Sequence, residues 1–344
     1  MNVLIATPIE AELVERIRSV DPSNRITWEP ALLPEPRYPS DHRGDPEFAR
    51  DAAGQARWNS MLSEAEILLG IPGEDPVQLA DTVARAPHLR WVQCMYAGAG
   101  EQVRAADLSH SDLERVAFTT SAGVHATMLA EFFFMGLLAL RKDFRRLERL
   151  REKERWAHWA MGELDGSILA VIGMGAIGKA IAKLARAFGM RVIAVTRDGQ
   201  AIPGVAAAYS THHLHDALPL ADAVVVTLPA TDKTRGLIDR AAFAAMKNTA
   251  IFGNVGRAAV ADQLALVEAL QNETIGGAVL DVFDPEPLPA GDPLWRLPNV
   301  IISPHTAALS ARENKRVVDI FCENLERFAN GQPLRNLIHA TEFY

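Results

Sequence analysis

Short, uniformly apolar runs alternate along the chain with longer stretches whose apolar positions recur at helical spacing. The runs fall at residues 3–6, 67–69, 91–95, 168–172, 191–196, 223–228, 249–254, 277–282 and 300–303. Runs of this length and character predict parallel strands buried on both faces. Helical spacing predicts helices over 10–20, 46–61, 77–86, 176–188, 240–246, 261–270 and 310–329, the last ending at Asn330 and Gly331. A long helix is expected to open in TTSAGVHATMLAEF and run to about residue 150, apolar in its first half and charged in its second, with Trp156 and Trp159 as packing anchors beyond it. Between residues 29 and 46 the sequence EPALLPEPRYPSDHRGDP predicts a long irregular loop. Strand and helix in alternation mean an α/β fold with parallel sheets.

The most informative stretch is GSILAVIGMGAIG, residues 166–178. Gly173, Gly175 and Gly178 stand at the G-x-G-x-x-G spacing, directly behind a strand and ahead of the helix that Ala176 and Ile177 begin. The first glycine permits a tight turn, the second lets backbone amides approach a pyrophosphate, and the third lets helix and strand pack closely. The helix then aims its N–H groups and positive dipole end at the phosphates. The N-terminal unit also begins with a strand and a helix, but Thr7, Pro8 and Ile9 fill its turn, which is unsuited to a dinucleotide.

At 344 residues the chain has room for two domains, and with 49% hydrophobic and 23% charged residues it has a globular composition. A net charge of −8 argues against broad binding to nucleic acid or anionic membranes. Cys94 and Cys322 form neither a disulfide framework nor a metal-ligand spacing. Met1 leads straight into a strand rather than a secretory signal, and the longest apolar run, 128–140, contains Glu131 and is too short for a bilayer. A cytoplasmic enzyme without metal is expected. His212, His213, His215 and Asp216 read as an exposed turn before a short helix, and His125 as a residue that positions its own segment.

Three strand ends carry chemistry: Arg257 in NVGRAAV, Glu286 in DVFDPEPLP and His305 in SPHTAAL. In a doubly wound sheet such ends form the ligand edge. With these motifs, and with YAGAGEQV, VVVTLPATDKTRGLID and ENLERFANGQPLRN, the chain resembles the D-isomer-specific 2-hydroxyacid dehydrogenases over nearly its whole length. The resemblance implies two Rossmann-like domains. A cofactor domain, 123–307, would be inserted into a discontinuous flavodoxin-like substrate domain, 1–122 and 308–344, with hinges near Ala122 and Ala307. It implies that His305 is the general acid for the substrate carbonyl, that Glu286 fixes its tautomer and stabilises imidazolium, and that Arg257 holds the substrate carboxylate. Backbone amides of Ala97, Gly98 and Ala99 would hold the other carboxylate oxygen. Tyr96, with Met95, either lines the substrate pocket or belongs to the core. Asp281 would meet the nicotinamide carboxamide, and Leu228, Pro229, Thr234, Val255 and Gly256 would flank the cofactor together with Arg257 and His305. The substrate would be a small 2-ketoacid or 2-hydroxyacid such as glyoxylate or hydroxypyruvate, and the protein a homodimer.

At the end of the second strand of the nucleotide unit, RVIAVTRD, Thr196 stands where an NAD enzyme is expected to carry an acid. Thr196 and Arg197 suit a 2′-phosphate, so NADP(H) is the expected cofactor. Asp198, one residue on, leaves NAD(H) open. Two other readings also stay open: a dehydrogenase of another small anion such as formate or phosphite, and a dinucleotide-sensing binding protein of the same fold.

Overall fold

Val3, Leu4 and Ile5 are almost wholly buried, and strand β1 (Asn2–Ile5) that contains them lies inside a parallel sheet. Its companions are β2 (Arg25–Thr27), β3 (Ile67–Leu69), β4 (Trp91–Gln93) and β5 (Ala117–Thr119), in the order β2-β1-β3-β4-β5. Register is set by pairs such as Val3 with Ile67 and Leu68 with Val92. Helices α1 (Ala11–Val20), α2 (Ala52–Glu64), α3 (Pro76–Arg85), α4 (Gly100–Ala105) and α5 (His110–Arg115) connect the strands. One face buries Leu4, Leu68 and Val92 against Trp58, Leu79 and Val83; the other buries Ile5, Ile67 and Trp91 against Val14, Ile17 and Phe321. Phe321 and Phe328 belong to the C-terminal helix, Glu313–Ala329, and stack on Trp91 at 5.0 and 5.6 Å between ring centroids. The chain's last helix therefore completes the core of its first sheet. This computed structural model describes residues 1–339, and it separates a unit of Met1–His125 with the chain from Leu309 on from a unit of Ala126–Ala308.

The second unit holds α6 (Ala126–Arg141), α7 (Phe144–Glu152), β6 (Ile168–Ile172), α8 (Ala176–Ala187), β7 (Arg191–Thr196), β8 (Ala207–Ser210), α9 (Leu214–Ala217), β9 (Ala223–Val226), α10 (Arg240–Ala245), β10 (Ile251–Asn254), α11 (Gln263–Gln271), β11 (Gly277–Leu280) and β12 (Val300–Ile302). Its parallel sheet runs β12-β11-β10-β9-β6-β7-β8. Side chains alternate between two cores, Ala170, Ile172, Val224 and Phe252 on one face and Leu169, Val171, Val225 and Val279 on the other. The strand order reverses between β6 and β9, so a ligand crevice is expected at their carboxyl ends.

Three expectations need correction. The helix expected over 46–61 begins only at Ala52, because the Asp51 carboxylate accepts from Gly54 N at 2.7 Å and caps it there. The long helix does not reach residue 150 unbroken: α6 ends at Arg141, and Asp143, with φ of 49°, caps a separate α7 through Arg146 N. Trp156 is no packing anchor, being 89% exposed, while Trp159 is half-buried beneath the Arg146 guanidinium at 4.3 Å. Of the two readings left open for Met95, the core one holds. The strands β2, β5 and β8 and the helices α4 and α5 went unpredicted because each is only three to six residues long, and the apolar positions of β8 are mostly alanine, which favours no strand.

Candidate functional site

In the second unit the site begins at the glycine turn. Gly173 adopts φ of 99°, its N–H donating to Val195 O at 2.9 Å, so the chain leaves β6 in a conformation other residues rarely adopt. A Cβ on Gly178 would lie 2.0 Å from Gly173 O, whereas one on Gly175 would meet nothing within 4 Å. The third glycine is thus demanded by helix and strand, and the second faces open space. Gly175 caps α8 without any side chain, leaving the first N–H groups of that helix, through Ala176 and Ile177, for a ligand. Leu228 overhangs Gly173, and Gly256 approaches the Leu228 backbone so closely that a Cβ there would sit 2.7 Å from Leu228 O. The ends of β6, β9 and β10 therefore meet around the turn, with Val255 buried behind Gly256. Pro229 and Thr234 lie in one turn, where the Thr234 hydroxyl donates to Pro229 O at 2.7 Å. A dinucleotide's pyrophosphate fits this cradle.

Beyond β7, the Thr196 hydroxyl donates to Asp198 Oδ1 at 3.3 Å and accepts from Gly199 N at 3.1 Å, while Gln200 N donates to the same Asp198 oxygen. The Asp198 carboxylate is thereby engaged within its own turn, and Arg197 is exposed at the strand end. Asp281, following β11, is buried and accepts from Ala307 N at 3.1 Å. Burial raises its carboxyl above the ordinary range, against the hydrogen bonds from Ala307 and Ser303.

Arg257, Glu286 and His305 follow three strands that are neighbours in the sheet, β10, β11 and β12. The nearly buried Asn254 shapes the first of these ends, accepting from Gly256 N and donating to Arg257 O, both at 3.1 Å. Arg257 Nη1 donates to Gly256 O at 3.1 Å. Glu286 Oε1 accepts from Phe283 N at 2.9 Å, and Oε2 lies 2.8 Å from His305 Nδ1. An ionised carboxylate can only accept, so Nδ1 carries the hydrogen and Nε2 is the nitrogen open to proton exchange. The His305 backbone is held at φ of 52°, a left-handed conformation that costs a non-glycine residue about 1–3 kcal/mol. Its side chain is 47% exposed.

In the first unit the loop Tyr96–Ala97–Gly98–Ala99 joins β4 to α4, with Ala97 exposed and Ala99 buried. Next to it lies a buried polar cluster that the sequence did not reveal. His42, 2% exposed, sets its ring edge-on to Tyr96 at 5.3 Å, with Nδ1 3.4 Å from Thr7 Oγ1 and Nε2 3.6 Å from Glu313 Oε1. His125 Nε2 donates to the same Glu313 oxygen at 3.0 Å, which ties His125 to the C-terminal helix. Burial pushes the Glu313 carboxyl up, but the hydrogen bond from His125 and the nearby His42 ring outweigh it and leave it below the ordinary value. Glu74, 2% exposed, accepts from Gln102 Nε2 at 3.1 Å, and burial raises it to about 7. His42 sits in an irregular loop and Glu74 in a single turn, where no periodicity marks a buried side chain.

The Glu74 shift carries a stability prediction. Its folded value of about 7 exceeds the ordinary 4.5, so the protonated carboxyl suits the fold and stability falls as pH rises between those values. Glu74→Gln removes that loss, which is about 3 kcal/mol above pH 7. The variant is expected to melt about 5 °C higher than the parent at pH 8 and equally near pH 4.5. Parallel melting curves across that range would count against a buried carboxyl here.

His212 and His213 lie in a single exposed turn before α9 and His215 on the exposed side of α9 itself, with His213 Nδ1 2.9 Å from Asp216 Oδ2. Among the described residues no group of three or more His, Cys, Asp or Glu side chains is arranged to hold a metal, and no helix is long and apolar enough to cross a membrane.

Residues 134–307 match the family described as D-isomer specific 2-hydroxyacid dehydrogenase, NAD binding domain. A glyoxylate reductase of Aeropyrum pernix is 34% identical over 271 residues, covering 75% of this chain and 79% of the relative. A D-isomer specific 2-hydroxyacid dehydrogenase from Xanthobacter autotrophicus, solved with NADPH and MES, superposes with a TM-score of 0.77 at 27% identity, over 100% of this chain and 99% of the other. An NADPH-dependent glyoxylate/hydroxypyruvate reductase from Sinorhizobium meliloti, solved with NADP and sulfate, gives 0.75 at 26% identity, over 100% and 99%.

Proposed function

Since the chain belongs to the D-isomer specific 2-hydroxyacid dehydrogenase family, we propose that it reduces a small 2-ketoacid to the D-2-hydroxyacid with NADPH. The observation that carries the proposal is the 2.8 Å pairing of His305 Nδ1 with Glu286, one strand from Arg257 and in the same sheet as the glycine turn. Bound at that turn, the nicotinamide supplies hydride to C2 of the ketoacid. His305 Nε2 gives its proton to the carbonyl oxygen as negative charge develops there, and takes it back in the reverse direction. Glu286 holds the ring in the required tautomer and stabilises the charged imidazole beforehand. Arg257 binds the substrate carboxylate with its planar fork and polarises the ketone. Amides of Ala97, Gly98 and Ala99 take the other carboxylate oxygen, with Tyr96 beside them, and Asp281 orients the carboxamide. The unit of Ala126–Ala308 is then the cofactor domain and the other unit the substrate domain.

The preference for NADPH rests on Thr196 and Arg197 at the end of β7, where a hydroxyl and a cation suit a 2′-phosphate. The engagement of Asp198 within its turn supports it. So do the NADPH and NADP found in the two solved relatives. A cytoplasmic homodimer is the family expectation we adopt.

The test is oxidation of NADPH and, separately, NADH with glyoxylate, hydroxypyruvate, pyruvate and a branched 2-ketoacid, followed by chiral analysis of the product. Turnover with NADPH to the D-acid is expected. Exchanging Thr196→Asp and Arg197→Ser together is expected to shift the NADPH to NADH ratio of kcat/KM by about 10- to 100-fold toward NADH, the equivalent of one charged hydrogen bond. An unmoved ratio refutes the assignment, and cofactor binding without any turnover would turn the reading toward a dinucleotide sensor.

A further inference from the structure

A cavity of about 400 Å³ in the first unit is lined by Arg37, His42, Arg43 and Arg50, and the reaction described above uses none of them. That volume suits a small molecule. Its walls are the end of β1, the loop that follows β2 and the turn at Gly73.

The charges on these walls do not balance within the protein. Arg37 is matched, its Nε and Nη2 donating to the buried Asp41 at 2.6 and 3.2 Å. Arg50 is not. Its guanidinium is half-buried, lies 4.3 Å above the Trp58 ring and 5.3 Å above Phe48, and spends one N–H on Leu32 O. Four of its five donors and its charge lack a carboxylate among the described residues. Arg43 makes no hydrogen bond or ion pair among them. The nearby acids do not match both charges: Asp45, on the same wall, brings one negative charge against two guanidinium groups, and Glu74, which Arg43 feels electrostatically, is buried and raised toward neutrality. A guanidinium withdrawn from water without a counter-charge is costly, and an anion with paired oxygens relieves that cost most fully.

The same cavity adjoins the carboxylate loop. His42 forms part of its wall and packs edge-on against Tyr96, the residue before Ala97, at 5.3 Å. His42 is thus shared by the cavity wall and the surroundings of the Ala97–Ala99 loop. We propose that the substrate is a 2-ketoacid carrying a second anionic group, carboxylate, sulfonate or phosphate, and that Arg43 and Arg50 hold that group. This rests on the proposed ketoacid reductase reading and narrows it. An uncharged side chain in this cavity would leave the Arg50 charge without a partner, so the arginines discriminate against it.

The experiment compares kcat/KM, with saturating NADPH, for oxaloacetate, 2-oxoglutarate and 3-phosphohydroxypyruvate against 2-oxobutanoate and 2-oxopentanoate. At least one doubly anionic acid is expected to exceed its uncharged counterpart by tenfold or more, and the ranking among the three identifies the second group. Arg43→Ser, at an exposed position where folding is safe, and Arg50→Lys, which keeps charge but loses the fork, are each expected to lower that ratio at least fivefold. Equal loss on both substrate classes would assign the arginines a structural role and overturn the proposal. Turnover of the uncharged acids with no preference for the doubly charged ones overturns it while leaving the reductase reading intact. Absence of turnover with every ketoacid sinks both.

Discussion

Replacing His305 with alanine is expected to lower kcat by about 10²- to 10⁴-fold, the usual contribution of a positioned general acid, while the dissociation constant for NADPH changes by less than about threefold. The asymmetry follows from where the ring sits. His305 is placed by its own backbone, N–H to Ser303 O at 2.9 Å and φ of 52°, and its Nδ1 is taken by Glu286, so the imidazole's one open function is at Nε2. The pyrophosphate cradle is built from other strand ends, those of β6, β9 and β10. Alanine therefore removes a proton donor without touching the groups that would hold the pyrophosphate. Stopped-flow measurement of NADPH oxidation, paired with a fluorescence titration of NADPH, separates the two quantities. A variant that retained a tenth or more of parental turnover would remove His305 from the mechanism.

The same pair shows what the sequence could and could not disclose. Ile168–Ile172 and Gly277–Leu280 are legible as buried strands because both faces of a parallel sheet demand apolar side chains, and the residues at their carboxyl ends then become candidates by position alone. Arg257, Glu286 and His305 were found in that way. The partnership between Glu286 and His305 was implied only by the family resemblance, since it requires the loop after β11 to fold back, which no periodicity encodes. His42, Glu74 and Glu313 were invisible for a related reason. They are polar residues made buried by tertiary packing, on a loop, a single turn and the start of a helix that reads as solvent-facing. Arg43 and Arg50 likewise read as ordinary members of a charged loop, and only the cavity they line gives them a role. The break between α6 and α7 turned on one residue, since Asp143 caps the second helix where the charge pattern alone favoured continuity.

The glycine turn yields the other large effect, through a contrast between two substitutions three residues apart. Gly178→Ala puts a methyl group 2.0 Å from Gly173 O and 3.1 Å from Val171 Cγ1, so backbone must move. That neighbour is a carbonyl in the turn itself, not the end of a flexible side chain, and the displacement propagates into β6 and α8. Overpacking of this kind costs about 1–3 kcal/mol or more, and Gly178→Ala is expected to melt several degrees lower and to lose dinucleotide binding with it. Gly175→Ala meets nothing within 4 Å, and Gly175 has φ of −70°, which alanine adopts freely. Its melting temperature is expected to stay within about 1 °C of the parent, yet its methyl group occupies the space through which backbone amides reach a pyrophosphate, and NADPH affinity is expected to fall tenfold or more. Calorimetry and NADPH titration on both variants test the pair. If Gly175→Ala bound NADPH as the parent does, the open space beside it would not be the phosphate site, whereas loss of binding without loss of stability can come only from the ligand side of the turn.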